Sequence, residues 1–272
     1  MPGQCCSKKE VFGQALITTK GGSMSALVDL RVEDNGIATL KMQDVDGRNL
    51  FSDRLVEEVI SALDELEERV KPSVVVLCGL QEVFSGGAEK KALMDLAEGK
   101  LVVKDLLISE KLINTTFPVI AAIEGHAMGG GLVMALCCDI VIASLEARYG
   151  AVFMTMGFTP GMGCTTLLQE LVGPYIANEM MYTGKRFKGK ELSSKGTNIN
   201  YFLPRAEVLS KARDVALQIA DKNIESVRLL KYTLCARKKK LLIDARLQED
   251  LMHRLSFGFP ETKETIKSWY LE

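Results

Sequence analysis

The chain has 272 residues, 47% of them hydrophobic and 25% charged, with a net charge of −1. That length suits one substantial domain. The near-neutral balance argues against a nucleic-acid partner, which needs a basic face. The one basic run, Arg237-Lys238-Lys239-Lys240, precedes an amphipathic segment and reads as a solvated helix face. Seven cysteines stand at positions 5, 6, 78, 137, 138, 164 and 235, and none forms a CxxC pair. Cys78, Cys137, Cys138 and Cys164 lie in apolar or glycine-rich surroundings, so reduced thiols are expected, with no disulfide framework and no metal site. No apolar run approaches the roughly 20 residues of a membrane span, and the start lacks a signal-peptide pattern. A cytoplasmic protein off the membrane is the expectation.

Residues 1–23 end in Gly-Gly-Ser ahead of Met24 and read as a poorly ordered extension or linker. Residues 25–34 and 36–43 read as two strands around Asp34-Asn35-Gly36, a hairpin turn signal. Residues 52–71 carry Leu55, Val59, Leu63, Leu66 and Val70 at helical spacing, with Ser52 as N-cap and Pro72 as stop. The apolar run 73–80 then reads as a buried parallel strand. The order repeats: a helix near 101–115, a strand at 118–125, a helix after the triple glycine, and a strand at 139–144. Alternation of this kind predicts parallel βαβ units. Helical periods dominate afterwards, at 164–172, 175–182, 206–221, 224–235 and 241–257. An α/β core over 24–205 and a helical region over 206–272 are therefore expected.

Two of the buried strands lead into glycine turns, Phe84-Ser85-Gly86-Gly87-Ala88 and Gly129-Gly130-Gly131. Loops at the carboxyl ends of parallel strands are where such folds place their sites. Glycine there lets backbone N–H groups approach a ligand, and two converging N–H groups make an oxyanion hole. Neither loop matches a nucleotide-binding fingerprint.

The blocks FSGGAEK (84–90), PVIAAIEGHAMGGGLVMALCCDIVIAS (118–144) and YGAVFMTMGFTPGMG (149–163) resemble the crotonase, or enoyl-CoA hydratase/isomerase, superfamily. The resemblance runs from about residue 25 to the C-terminus. It implies a spiral of ββα units, a helical C-terminal trimerisation region and a thioester substrate on a pantetheine arm. It places the oxyanion-hole amides at Gly86 and Gly130. Hydratases of the superfamily activate water with two glutamates. Here those positions hold Val133 and Phe153, neither of which moves a proton. The hydratase route is therefore disfavoured.

Other ionisable groups must serve. Glu89, Lys90 and Lys91 follow the first glycine loop, and a lysine near an apolar pocket has its charged form destabilised. The chain has two histidines. His126, between a buried strand and the glycine turn, reads as structural; His253 lies in a late amphipathic helix. Within the superfamily, YGAVFMTMGFTPGMG, LPRAEVL and LMHRLSF are similar to the decarboxylating crotonases of polyketide β-branching cassettes. That subgroup removes CO2 from a 3-methylglutaconyl group on acyl carrier protein, and the resemblance assigns functional roles to Lys90 and His253. It implies no cofactor beyond the phosphopantetheine that carries the acyl group, and a homotrimer or dimer of trimers. A CoA thioester would present the same arm. An enoyl-thioester isomerase using Glu89, Lys90 or His253 as base is the alternative enzyme. A catalytically silent scaffold is the non-enzymatic one, although it has no need of converging amides.

Overall fold

The computed structural model describes residues 15–16, 26–100 and 106–269. The expected extension 1–23 lies outside them except for Ala15–Leu16, whose backbone pairs antiparallel with Val32 and Arg31. Residues 101–105 of the expected helix near 101–115 also fall outside; its remainder forms the helix Leu106–Asn114.

The hairpin forms as read: Val28–Val32 pairs antiparallel with Ile37–Met42. The Asn35 carboxamide closes the turn by accepting the Ile37 N–H at 3.0 Å. Ser52 caps the next helix, its hydroxyl accepting the Leu55 N–H at 3.2 Å. That helix, Asp53–Glu65, continues as a looser turn through Val70 and ends where Lys71 turns left-handed before Pro72. Val74–Cys78, Val119–Ile123 and Ile140–Ser144 follow as parallel strands of a seven-stranded sheet, joined at its far edge by Tyr201–Leu203.

Each central strand has a successor that the apolar periodicity did not reveal. Val83–Ser85, His126–Met128 and Arg148–Gly150, with Phe187–Lys188, build a second, four-stranded sheet. Two of the units thus run strand, strand, helix: Val119–Ile123, His126–Met128 and then Gly130–Cys137 is the clearest. The simple βαβ expectation is corrected to the ββα spiral. These second strands span only three residues, too short to display a period of two.

The large sheet is buried on both faces. On one side Val75, Leu77 and Ala121 join the main core. On the other Val74, Val76, Ile120 and Ile142 pack against Val208, Ala212 and Ala216 of the helix Arg205–Ala220. The helices expected at 224–235 and 241–257 are one continuous 33-residue helix, Ile224–Ser256. The intervening Ala-Arg-Lys-Lys-Lys has no breaker and consists of strong helix formers. A last helix, Pro260–Trp269, folds back beside the first glycine loop's helix, Lys90–Ala97. No helix among the described residues is long and apolar enough to cross a membrane. Burial pushes the Cys78 and Cys137 thiols up to about 11, and Cys138 and Cys164 higher still, so these cysteines are packing residues.

The long helix is fastened to the sheet by Lys231, whose ammonium donates to both oxygens of Asp139 at 2.8 and 2.9 Å. Asp139 also accepts the Val119 N–H at 2.8 Å. Lys231 is buried, so removing its partner strands a charge. Asp139→Ala is expected to destabilise the fold by about 3 kcal/mol, and Lys231→Met by clearly less, in urea unfolding monitored by far-UV circular dichroism.

Candidate active site

The first glycine loop is held from behind. Asn49, buried with a positive φ, donates to the carbonyls of Met42 and Phe84 at 3.2 and 3.0 Å. The Ser85 hydroxyl donates to the Asn49 carbonyl at 2.7 Å and accepts the Gly87 N–H at 3.2 Å. Neither Asn49 nor Ser85 gives a sequence signal for this, because the Phe84 and Asn49 carbonyls they hold lie 35 and 36 residues away in the chain.

The second loop begins the helix Gly130–Cys137. Its first amides have no intrahelical carbonyl to meet and point, with the positive end of the helix dipole, out of the helix. Gly129 is anchored by its N–H to the Gly150 carbonyl at 2.8 Å. The two loops touch at Gly87, which has φ +86°. A Cβ there would lie 2.8 Å from the Met128 carbonyl and 3.3 Å from the Gly130 nitrogen.

Beside this contact is a cavity of about 160 Å3. Gly86, Ala88 and Gly130 form one part of its wall, Leu93, Leu96, Val152, Phe153, Met156 and Met162 its apolar lining. Gly130 stands as expected, at the wall and at a helix N-terminus. Gly86 also lines the cavity, and its N–H donates to the Arg48 carbonyl at 3.3 Å. Phe153 lines the cavity where a hydratase carboxylate was sought. Val133 is fully buried in the helix and is not among the lining residues, so its side chain belongs to the core.

His253 reaches the cavity from the long helix. Its Nε2 lies 2.8 Å from the Thr159 carbonyl, which can only accept, so Nε2 carries the proton. Its ring meets Phe158 and Phe257 edge to face, at 6.3 and 5.5 Å between centroids. Gly161 provides the floor: a Cβ there would lie 2.2 Å from His253 Cε1. Burial among these rings holds the imidazole below its ordinary value of 6.5 and outweighs the Thr159 hydrogen bond and the nearby charges of Glu249 and Asp250.

Lys90 is not on the cavity wall. It is half-buried, and its Nζ donates to the Lys267 carbonyl at 3.0 Å, tying the first loop's helix to the last one. Lys91 is exposed and pairs with Asp95 at 3.2 Å; Glu89 is the helix N-cap. His126 has the structural role expected of it, Nδ1 accepting the Arg148 N–H at 3.0 Å. Arg186 and Trp269, both on the wall, were not anticipated from sequence. Arg186 lies in a tract that reads only as polar, and Trp269 in a helix that went unread.

A family model for enoyl-CoA hydratase/isomerase matches residues 32–272. Bacillaene synthase decarboxylase PksI of Bacillus subtilis (strain 168) is 35% identical over 245 residues, covering 90% of this chain and 98% of that protein. The ECH2 decarboxylase domain of CurF from Lyngbya majuscula is similar at 34% identity and a TM-score of 0.84, covering 90% of this chain and 99% of that one. A solved structure from a dehydratase/decarboxylase enzyme couple involved in polyketide β-branching gives 35% identity and a TM-score of 0.86 over the same shares. Agreement of sequence and backbone at that coverage reflects common descent and not architecture alone: this chain belongs to the enoyl-CoA hydratase/isomerase family, the crotonases.

Proposed function

We propose that the chain decarboxylates a 3-methylglutaconyl thioester carried on acyl carrier protein, giving a 3-methylcrotonyl-type thioester in polyketide β-branch formation. The observation that carries this reading is the cavity itself: amide donors at one side of a wall that has an aromatic ring where water activation would need a carboxylate. The relatives named as decarboxylases, similar over 90% of the chain, support it.

The bond from the γ-carbon to the carboxylate breaks, CO2 leaves, and the electron pair delocalises through the double bond onto the thioester oxygen. The Gly130 N–H, backed by its helix, stabilises that oxygen as charge develops. A second donor comes from the first loop. Gly86 lines the cavity, and its N–H, which meets the Arg48 carbonyl only at 3.3 Å, is the donor assigned to that loop. Removing one such donor costs other enzymes about 3–4 kcal/mol. The apolar lining excludes water and disfavours a carboxylate relative to neutral CO2.

The dienolate must then take one proton, at the α- or γ-carbon, so each turnover consumes one. In the free protein burial favours neutral His253, with Nδ1 unprotonated. An anionic substrate beside the ring favours the imidazolium, and Nδ1–H becomes the acid that protonates carbon. Lys90, tied to Lys267 and off the wall, acts by positioning the last helix over the site. Isomerisation would need a resident base, and the polar residues at the wall are His253 and Arg186. The apolar side chains exposed along the long helix, among them Leu247, Leu251 and Leu255, would be covered in a homotrimer.

Purified protein given the 3-methylglutaconyl-carrier thioester should release CO2, read as a loss of that mass from the carrier; unchanged mass with a shifted double bond would instead indicate the isomerase. His253→Ala should lower kcat by 10²-fold or more, within the range for general acids, whereas Lys90→Ala should stay within about ten-fold of wild type. Because the protonated fraction of free His253 shrinks as pH rises through its lowered value, kcat/KM should already be falling with rising pH below 6.5, and His253→Gln should flatten that fall. Light scattering should give the mass of three chains, and Leu251→Glu should reduce it.

A further inference from the structure

The cavity wall has a single residue of fixed charge, Arg186, and the mechanism above gives it no task. Its placement is specific. The strand Phe187–Lys188 pairs antiparallel with Arg148 and Tyr149, Tyr149 opposite Phe187, so Arg186 falls opposite Gly150. A Cβ on Gly150 would lie 3.3 Å from Arg186 Cγ and 3.4 Å from its Cα, so the arginine stem lies flat against a backbone with no side chain to push it away. The carbonyl of that same Gly150 holds the Gly129 N–H, one residue before the oxyanion-hole amide.

The head group is equally constrained. Its central carbon stands 5.1 Å from the ring centroid of Trp269, which also lines the cavity. Attraction between a cation and a ring face uses none of the guanidinium N–H groups, which stay available in the fork that matches a carboxylate. No acidic side chain among the described residues pairs with it. The neighbouring cation Lys185 is engaged, by Glu179 at 3.0 Å and Glu191 at 2.8 Å. Lys90 is committed to Lys267.

A thioester that carries a free carboxylate brings an anion to an otherwise apolar wall, where it is costly without a counter-charge. We infer that Arg186, set over the Trp269 ring, is the specificity residue that selects thioesters with a free carboxylate over neutral ones. The inference rests on the decarboxylase reading. Arg186 is itself exposed, at the rim of the cavity. It therefore recognises the carboxylate in water's reach without stabilising it so strongly that departure as CO2 is impeded. Its contribution belongs in substrate affinity more than in the chemical step.

The test compares two saturated ligands on the same phosphopantetheine-bearing carrier protein, a 3-methylglutaryl thioester and a 3-methylbutyryl thioester. They share the arm and the branch, and only the first has a carboxylate; neither can form the dienolate. Wild type should bind the first more tightly. Arg186→Gln should weaken it roughly ten-fold, the scale of a charge-assisted bidentate pair, and leave the second unchanged. Equal weakening of both would assign Arg186 to the arm and overturn the inference, as would no change in either. The position is exposed, and an unaltered thermal melt confirms that the variant folds. CO2 release by wild type is measured in parallel. If none appears while the variant still loses its preference, the decarboxylase reading fails and the recognition role stands. If CO2 is released and the preference is untouched, the recognition role alone fails.

Discussion

The site depends on how closely two chain segments can approach at Gly87. The first glycine loop lies against the Met128 carbonyl and the Gly130 nitrogen at a separation that leaves no room for a Cβ. Everything behind that contact maintains it. Asn49 and Ser85 hold the first loop to the preceding turn, and the Gly150 carbonyl holds Gly129. With the backbone of two different ββα units brought together, amide dipoles are fixed before any substrate arrives. That is the condition under which they stabilise charge without reorganising.

On this fixed backbone the side chains divide sharply. The wall is apolar except for an imidazole and a guanidinium, and each is held by aromatic rings: His253 by Phe158 and Phe257, Arg186 by Trp269. The proposed reaction leaves its thioester end to backbone groups. The chemistry at the other end is set by what side chains the cavity admits. Phe153 stands where a hydratase would hold a carboxylate, and His253 and Arg186 are the polar side chains that remain on the wall.

Much of this was legible in the sequence, for particular physical reasons. The buried strands announce themselves as unbroken apolar runs, and the Ser52 cap, the Asn35 turn and the glycine clusters carry local chemistry that needs no tertiary context. The second strand of each unit was missed because three residues do not establish a period. The break expected in the long helix rested on charge and not on any breaker. At the site, Gly130 and His253 reach the cavity as anticipated. Gly86 lines it as well, while Lys90 and Val133 stand off the wall, because position in a motif fixes where a backbone passes and not which way a side chain turns. Arg186 and Trp269 depend on register and chain reversal far from the motifs, and no local pattern encodes them.

The long helix presents Glu249, His253 and Ser256 on one face, spaced at four and three residues. All three grip the same short loop. Glu249 accepts the N–H groups of Gly163 and Thr165 at 2.7 and 2.9 Å, His253 donates to the Thr159 carbonyl, and Ser256 accepts the Thr159 N–H at 3.2 Å. The helix therefore works as a ruler laid along the loop, with one mark bearing the imidazole. Sliding the helix by one residue would swing all three groups about 100° away together, so His253 cannot drift while its neighbours hold. The length of the loop, more than the identity of most of its residues, is what calibrates the site.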